Sequence, residues 1–204
     1  TDEFINQLDL PEGPIYGVMI NGEEFISNSD RSESPINKLF KIKGNSSVSL
    51  VRIAINFNHA LKVEKISKQL KDMGYLVGLN MMQAHGKSEE DYIKTAKTIS
   101  SWGVIDVLYF ADSLGNMIPV DVQKICQALK KGWPGTLGIH THNNKNLALI
   151  NSITAIENGV SWCDGTITGM GRGAGNVSTE SLILEMSHLG YHKGNVNMIQ
   201  PAVE

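Results

Sequence analysis

Six short hydrophobic segments recur along the chain at intervals of about 30 residues, and this rhythm restricts the fold more than any other feature of the sequence. Each segment is rich in Val, Ile, Leu or aromatic residues and is flanked by Gly, Asn, Asp or Pro, as buried strands are. The segments begin at Ile15, Val48, Tyr75, Ile105, Thr136 and Ser161. Because helical patterns fill the intervals between them, the sequence predicts βαβ units and a parallel sheet.

The helical patterns have ends that are marked in the sequence. Ser88 precedes three acidic residues and is expected to cap the helix that it opens. In the first long helix, Leu61, Ile66, Leu70 and Met73 are spaced to share one face. The main predicted helices run over residues 59–73, 88–102, 119–131, 145–158 and 178–189. Glycine directly follows each of the five, which is typical of helix termination.

Six strand–helix units are consistent with two α/β folds. A doubly wound sheet would be complete with this number of strands, whereas a (β/α)8 barrel would be two units short. The chain has 204 residues, which suits a single domain, and 41% of them are hydrophobic, as in globular proteins. The periodicity alone leaves both folds open.

One segment interrupts the rhythm. Residues 27–35 read Ser-Asn-Ser-Asp-Arg-Ser-Glu-Ser-Pro, a polar sequence rich in turn-forming residues. We predict a loop or a poorly formed helix here, within one domain and not as a linker between two.

Charge and composition exclude several classes of protein. The chain has 18 basic and 21 acidic residues, whereas a nucleic-acid-binding domain is expected to show a basic patch or a strong positive excess. No apolar stretch approaches the roughly 18 residues of a membrane span. Cys126 and Cys163 are too few for a disulfide framework, which indicates a reducing, cytoplasmic compartment. We therefore expect neither a nucleic-acid partner nor a membrane partner.

Two histidines lie at the predicted end of the fifth strand, in the segment Gly-Ile-His-Thr-His-Asn-Asn. Residues two apart in a strand project from the same face, so His140 and His142 are expected to lie side by side. Parallel sheets bind ligands at the carboxyl ends of their strands, and imidazole is a common metal ligand. The segment therefore predicts a metal site, with a pair of hydrogen-bonded polar histidines as the alternative.

A glycine-rich segment follows the sixth strand, with Gly169, Gly171, Gly173 and Gly175 within seven residues. This density indicates unusual backbone conformations or close approach to a ligand. The segment leads into a predicted helix, as a phosphate loop does. However, no Gly-Lys-Ser/Thr follows, and the segment lacks the first-βαβ context of a dinucleotide fingerprint. Tight packing at a sheet edge explains the pattern equally well.

Asp112 and Ser113 end the fourth predicted strand, at the same edge of the sheet as the two histidines. Taken alone, they would serve to cap the helix that begins at Pro119. Three polar segments at strand carboxyl ends nevertheless favour a functional site more strongly than any one of them does.

Together these segments resemble a known family. The motifs are Asp112-Ser-Leu-Gly, then His140-x-His-Asn, then Gly169-Met-Gly-Arg-Gly-Ala-Gly-Asn. They are similar to the last three strand ends of the DRE-TIM metallolyases, which include 4-hydroxy-2-oxovalerate aldolase, hydroxymethylglutaryl-CoA lyase and the isopropylmalate and homocitrate synthases. The resemblance extends from about Ile15 to Leu189. It implies a TIM barrel, in which the six units are strands three to eight.

The resemblance also implies roles for individual residues. It places a divalent metal on His140 and His142, with Asn176 as a further ligand, and it favours Mn or Mg, with Zn or Co as alternatives. It implies that Ser113, with Asp112 and His140, contacts the substrate. The glycine segment, with Gly171, Gly173 and Gly175, is expected to close over the metal site.

One family motif is missing from this sequence. The first strand of the family carries an Asp-Arg-Glu-type motif, which supplies a metal-binding aspartate and an arginine that stabilises an enolate. Neither Asp-Arg-Glu nor Leu-Arg-Asp-Gly occurs in these 204 residues. Because six strands alone would leave two sheet edges exposed, we expect residues upstream of Thr1 to supply the motif and the first two βα units. On this interpretation residues 1–204 form a single barrel domain that lacks those two units.

The function implied by the resemblance is a divalent-metal-dependent aldolase or lyase. Such an enzyme cleaves a C–C bond of a 2-oxo or hydroxyacyl acid through a metal-stabilised enolate, and its substrate is a small carboxylic acid. The alternatives are an acyl-CoA-dependent synthase of the isopropylmalate or homocitrate type, and a truncated, non-catalytic barrel. The sequence leaves open whether the chain forms homo-oligomers and whether it binds an aldehyde dehydrogenase as a partner.

Overall fold

A single parallel sheet organises the chain. The computed structural model describes residues 2–26, 35–191, 199 and 201. Each strand pairs in parallel with the next along the chain, in the spatial order β1 to β6. The strands are β1 Gly17–Asn21, β2 Leu50–Asn56, β3 Leu76–Met82, β4 Val107–Asp112, β5 Thr136–Thr141 and β6 Trp162–Cys163. All six predicted strands are therefore present.

Helices connect the strands and cover one face of the sheet. The helices are α1 Asp2–Ile5, α2 Glu23–Ile26, α3 Pro35–Leu39, α4 Glu64–Asp72, α5 Glu89–Ser101, α6 Pro119–Lys130, α7 Ala148–Glu157 and α8 Thr179–His188. Short 3-10 helices span Lys43–Asn45, Phe57–Val63 and Ile167–Gly169. Among the described residues, no helix is both long and apolar enough to cross a membrane.

Alternation along the strands divides the side chains between two environments. Ile53 and Leu79 point towards the helices and belong to the main hydrophobic core, from which water is excluded. Alternate residues face the other way, onto what we call the inner face of the sheet. This face carries Arg52, Tyr109 and His140, all partly or wholly shielded from solvent. The inner face therefore carries polar and charged side chains that are shielded from solvent.

The capping signal read at Ser88 is confirmed. The Ser88 hydroxyl accepts a hydrogen bond from the backbone amide of Asp91 at 3.1 Å, and the Asp91 carboxylate accepts one from the Ser88 amide at 3.3 Å. This reciprocal capping box satisfies two amides that the helix itself leaves unpaired. The hydrogen bonds from Ser88 lower the pKa of the Asp91 carboxyl.

Replacing Ser88 by alanine is expected to lower the free energy of unfolding by about 1 kcal/mol, because the amide of Asp91 loses its acceptor. Equilibrium unfolding in urea measures the change. Ser101→Ala serves as the control, since its hydroxyl donates only to the carbonyl of Thr98 near the other end of α5. Equal losses in the two variants would contradict the capping assignment.

Three details differ from the sequence prediction. Leu61 does not share a buried face with Leu70, because residues 57–63 form a 3-10 helix whose tighter turn changes the phase, and Leu61 is 40% exposed. The helix predicted from Lys145 begins only at Ala148, because Asn146 adopts a left-handed conformation with φ of 57°. The sixth strand pairs over two residues only.

The predicted loop over residues 27–35 lies mostly outside the described residues, which resume at Pro35. From there residues 35–39 form the short helix α3, and Ile36 and Phe40 are buried in the main core.

Candidate active site

The two predicted histidines lie together at the end of β5. The ring centroids of His140 and His142 are 5.1 Å apart, with their planes at 77°. His142 is partly buried, and its burial, followed by the nearby charges of His140 and Arg172, lowers the pKa of its imidazole. A lowered pKa keeps this ring neutral near pH 7, which is the form that binds metal ions.

The orientation of His140 is fixed by a residue to which the sequence analysis assigned no role. Its Nδ1 atom lies 2.8 Å from Oδ2 of Asp164, the residue that follows β6. A carboxylate only accepts hydrogen bonds, so Nδ1 of His140 carries the proton. Nε2 is then the ring nitrogen with a lone pair that can bind a metal ion.

Asp164 is in turn held by Arg52 of β2. Nη1 of Arg52 donates to Oδ1 of Asp164 at 2.9 Å, and Nη2 donates to Oδ2. The guanidinium also lies over the ring of Tyr109, 4.1 Å from its centroid. Burial opposes ionisation of Asp164, but the hydrogen bonds and charges of His140 and Arg52 outweigh it and lower the pKa of this carboxyl. In the sequence, the sign of this ion pair was Arg52 itself, a single cation within the apolar segment of β2.

Asn176 is the third predicted metal ligand, and it pairs with His142 in a short antiparallel bridge. Its backbone amide donates to the carbonyl of Gly169 at 2.9 Å, and its side-chain amide donates to the carbonyl of Met170 at 2.8 Å. Its Oδ1 atom is buried and has no hydrogen-bond partner in the described part of the chain. A buried oxygen without a partner is costly, so a ligand that contacts this atom would be favoured.

The predicted glycine loop curls around Asn176. Gly175 has φ of 82°, and its carbonyl accepts a hydrogen bond from the amide of Asn143 at 2.9 Å. At Gly171, an added Cβ would lie 2.5 Å from Nδ2 of Asn176, and at Gly173 it would lie 3.0 Å from Oδ1 of Asn144. The loop therefore packs directly against the residues that follow His142.

Asn144 joins three of the loops at this edge, a role that the sequence did not reveal. Its Nδ2 donates to the carbonyl of Leu114 in the β4 loop at 2.8 Å. Its Oδ1 accepts from the amide of Ala174 in the glycine loop at 3.1 Å. One amide side chain thus holds the glycine loop, including Arg172, to the loops that follow β4 and β5.

Asn144→Ala is expected to accelerate tryptic cleavage after Arg172 several-fold, because the glycine loop opens more often once this clamp is removed. Limited proteolysis followed by mass spectrometry locates the cut. The control is Asn158→Ala, which also removes an amide-to-backbone hydrogen bond, to Thr154 near the end of α7. An unchanged rate at Arg172 in the Asn144 variant would show that the clamp does not order the loop.

Asp112 and Ser113 occupy the end of β4 but face different partners. The Asp112 carboxylate is buried and accepts hydrogen bonds from the amides of Asn116 and Met117 at 3.0 and 3.1 Å, while its burial raises the pKa of the carboxyl. The Ser113 hydroxyl accepts a hydrogen bond from the amide of Gln83 at 2.9 Å. Asp112 thus shapes the β4 loop, and Ser113 faces the space between β3 and β4.

A cavity of about 390 Å³ opens at the carboxyl edge. Its lining includes Asn56, Gln83, Ser113, His142 and Arg172. Its polar lining with one arginine suits a small anionic ligand such as a carboxylate, because guanidinium binds carboxylate well. Arg172 lies within the predicted glycine motif, but sequence reasoning gave it no role.

The donors at this edge fit a divalent metal ion. The imidazoles of His140 and His142 and the buried amide oxygen of Asn176 are nitrogen and oxygen donors of the kind that Mn, Zn or Co accepts. The described residues contain no cluster of three His, Cys, Asp or Glu side chains able to hold a metal, so the set depends on Asn176. A metal ion held by these three donors would have coordination positions left for water or substrate.

Comparison with known proteins identifies relatives for most of the chain. The HMGL-like family model matches residues 38–201. The 4-hydroxy-2-oxovalerate aldolase of Carboxydothermus hydrogenoformans is 37% identical over 145 residues, which cover 71% of this chain and 43% of that protein. The enzyme of the same name from Bacillus thuringiensis is 34% identical over 151 residues, which cover 74% and 44%. The chain thus spans less than half the length of these relatives.

Solved structures share the fold. The N-terminal domain of a proposed aldolase from Bacteroides vulgatus superposes with a TM-score of 0.76 at 29% identity, covering 92% of this chain and 60% of that one. The HMG-CoA lyase of Brucella melitensis superposes with a TM-score of 0.77 at 15% identity, covering 99% and 76%. The expected TIM-barrel fold is confirmed, with six strand–helix units described in this chain.

Proposed function

This chain belongs to the HMGL-like family, within the DRE-TIM metallolyases, and from that premise we propose that it carries the metal-binding edge of a divalent-metal-dependent aldolase or lyase. Its substrate would be a small 2-oxo or hydroxyacyl acid, with 4-hydroxy-2-oxovalerate as the first candidate because the curated relatives are named for that compound. Mn or Mg is the proposed metal. A cytoplasmic location, a homo-oligomer, an aldehyde dehydrogenase partner and a single domain over residues 1–204 stay predictions.

The observation that supports this proposal most strongly is the buried Oδ1 atom of Asn176. It has no hydrogen-bond partner among the described residues, and Asn176 also pairs with His142 in a short antiparallel bridge. Leaving a buried acceptor unpaired costs about 1–3 kcal/mol, whereas a bound cation would satisfy it. We propose His140, His142 and Asn176 as its ligands.

The residues around this site have distinct proposed tasks. His142 stays neutral, and His140 is oriented by Asp164, so both can present a lone pair. The Ser113 hydroxyl and the Arg172 guanidinium line the cavity where they can bind the carboxylate of the substrate. A divalent metal, when bound, would act as a Lewis acid that stabilises negative charge developing on the substrate oxygen as the C–C bond breaks.

The proposal is tested by measuring pyruvate release from 4-hydroxy-2-oxovalerate with the full natural protein. We expect activity to be lost on chelation, to return with Mn²⁺ or Mg²⁺, and to be absent in the His142→Ala variant. Pyruvate release by the chelated protein would contradict the metal requirement. Condensation of a 2-oxo acid with acetyl-CoA would favour the synthase alternative, and absence of both reactions would favour a non-catalytic barrel.

A further inference from the structure

A network on the inner face connects strands that are not neighbours in the sheet. We propose that Asp164 and Arg52 are positioning residues for His140, which set its tautomer so that Nε2 faces the metal site. The network consists of Arg52, Asp164 and His140. The inference rests on the proposed function only in its reference to the metal, since the tautomer is a property of the chain itself.

The geometry of the network is specific. Arg52 lies on β2 and Asp164 follows β6, with β3, β4 and β5 between them in the sheet. Their ion pair therefore crosses the inner face and joins two strands that share no backbone hydrogen bonds with each other. It uses both guanidinium Nη atoms and both carboxylate oxygens, a two-point arrangement that fixes the rotation of the carboxylate.

The surrounding side chains hold Arg52 in place. The side chains of Arg52 and Asp164 are only 15% and 22% exposed, so water competes little for their hydrogen bonds. The ring of Tyr109 lies under the guanidinium, and the ring of Trp162 packs edge-on against Tyr109 at 6.5 Å. Glycine at position 138 makes room for this stack, because an added Cβ would lie 2.4 Å from the Tyr109 ring.

The hydrogen bonds determine the tautomer of His140. Oδ2 of Asp164 is shared by Nη2 of Arg52 and Nδ1 of His140. Arg52 only donates, and a carboxylate only accepts, so Nδ1 of a neutral His140 must be the protonated nitrogen. The arginine prevents Asp164 from rotating away or from becoming a donor itself. Partners of this kind, beyond the direct ligands, typically affect metal affinity 10- to 100-fold, as an order of magnitude.

The discriminating variant is Asp164→Ala. It removes the carboxylate that accepts the hydrogen bond from Nδ1 of His140, so the ring proton is no longer held on that nitrogen. A neutral His140 can then carry its proton on Nε2, which blocks the nitrogen that should bind the metal. Arg52→Met removes the ion pair that holds Asp164, and Arg52→Lys keeps the charge without the two-point contact.

The first measurement is nitrogen-15 NMR of the histidine rings in the metal-free protein, with His140 assigned through a His140→Gln variant. We expect the Nδ1–H tautomer in the natural protein and a shift towards Nε2–H in Asp164→Ala. The second measurement is the Kd for Mn²⁺, which we expect to rise by about 10- to 100-fold in Asp164→Ala and by less in Arg52→Lys.

Lys71→Met is the matched control. It breaks another partly buried ion pair, with Asp106 at 2.7 Å, but at the amino-terminal end of β4. We expect it to change neither the tautomer nor the Kd. Urea unfolding of every variant shows which are folded, and Arg52→Lys replaces Arg52→Met if the latter does not fold.

Two results would overturn the inference. They are an unchanged His140 tautomer in a folded Asp164→Ala variant, and an equal rise in Kd in the Lys71 control. If the natural protein binds no Mn²⁺, the proposed metal function fails on its own, while the NMR measurement still decides whether Asp164 sets the tautomer.

Discussion

Replacing His142 by alanine is expected to abolish metal retention by the purified protein. The change removes one of the two imidazoles at the end of β5, and with the amide oxygen of Asn176 and His140 alone the site falls to two donors from this chain. Burial and the charges of His140 and Arg172 lower the pKa of His142, so at pH 7 the ring is neutral and able to bind metal. Its removal therefore takes away a donor that is available at this pH.

Mass-spectrometric metal analysis after loading with Mn²⁺ and dialysis measures this effect. The natural chain should retain the metal and the variant should retain close to none. His188→Ala is the control, because His188 lies at the end of α8 on the surface. Equal metal contents in the natural chain and the His142 variant would refute the assignment of His142 as a ligand.

Gly175→Ala is expected to weaken Mn²⁺ binding by at least about 10-fold, a loss typical of disturbing the support of a metal ligand. A Cβ at this position would lie only 2.0 Å from the carbonyl oxygen of Gly169. That oxygen accepts the hydrogen bond from the backbone amide of Asn176, so the clash displaces the residue whose Oδ1 is the proposed ligand. Calorimetric titration with Mn²⁺ measures the change in Kd.

Gly103→Ala separates this clash from simple backbone strain. Gly103 has φ of 68°, close to the 82° of Gly175, but a Cβ there meets no atom within 4 Å. Both variants should lose a similar conformational free energy of about 1–2 kcal/mol, and only Gly175→Ala should lose metal affinity. A normal Kd in Gly175→Ala would show that the loop does not position Asn176.

The strands and helices were predictable from the sequence because their signals are local, whereas the choice of a barrel came from the family resemblance. Each strand is an apolar run bounded by turn formers, and the cap at Ser88 sits directly before the acidic first turn of α5. The helix boundaries that were predicted wrongly lie where two local signals favour different conformations. The apolar spacing of Leu61 suggested an α-helix, but a 3-10 helix formed there instead, and Asn146 delayed the start of α7.

The candidate site was predictable only in part. Alternation along β5 was enough to bring His140 and His142 together, and the motif resemblance pointed to Asn176. The ion pair between Arg52 and Asp164 joins residues 112 positions apart, and no periodic pattern reports such a contact. A lone arginine in the apolar segment of β2 was a usable signal that a buried partner exists, but not of which residue it is.

The claim that His140 and His142 bind a metal in this chain is tested most directly by electron spin echo spectroscopy of the Mn²⁺-loaded protein. The spectrum reports nitrogen nuclei bonded to the ion. We predict one Mn²⁺ per chain, coupled to two imidazole nitrogens, with one of the two couplings lost in the His142→Ala variant. Stoichiometric Mn²⁺ without nitrogen coupling, or no bound Mn²⁺ at all, would contradict the account.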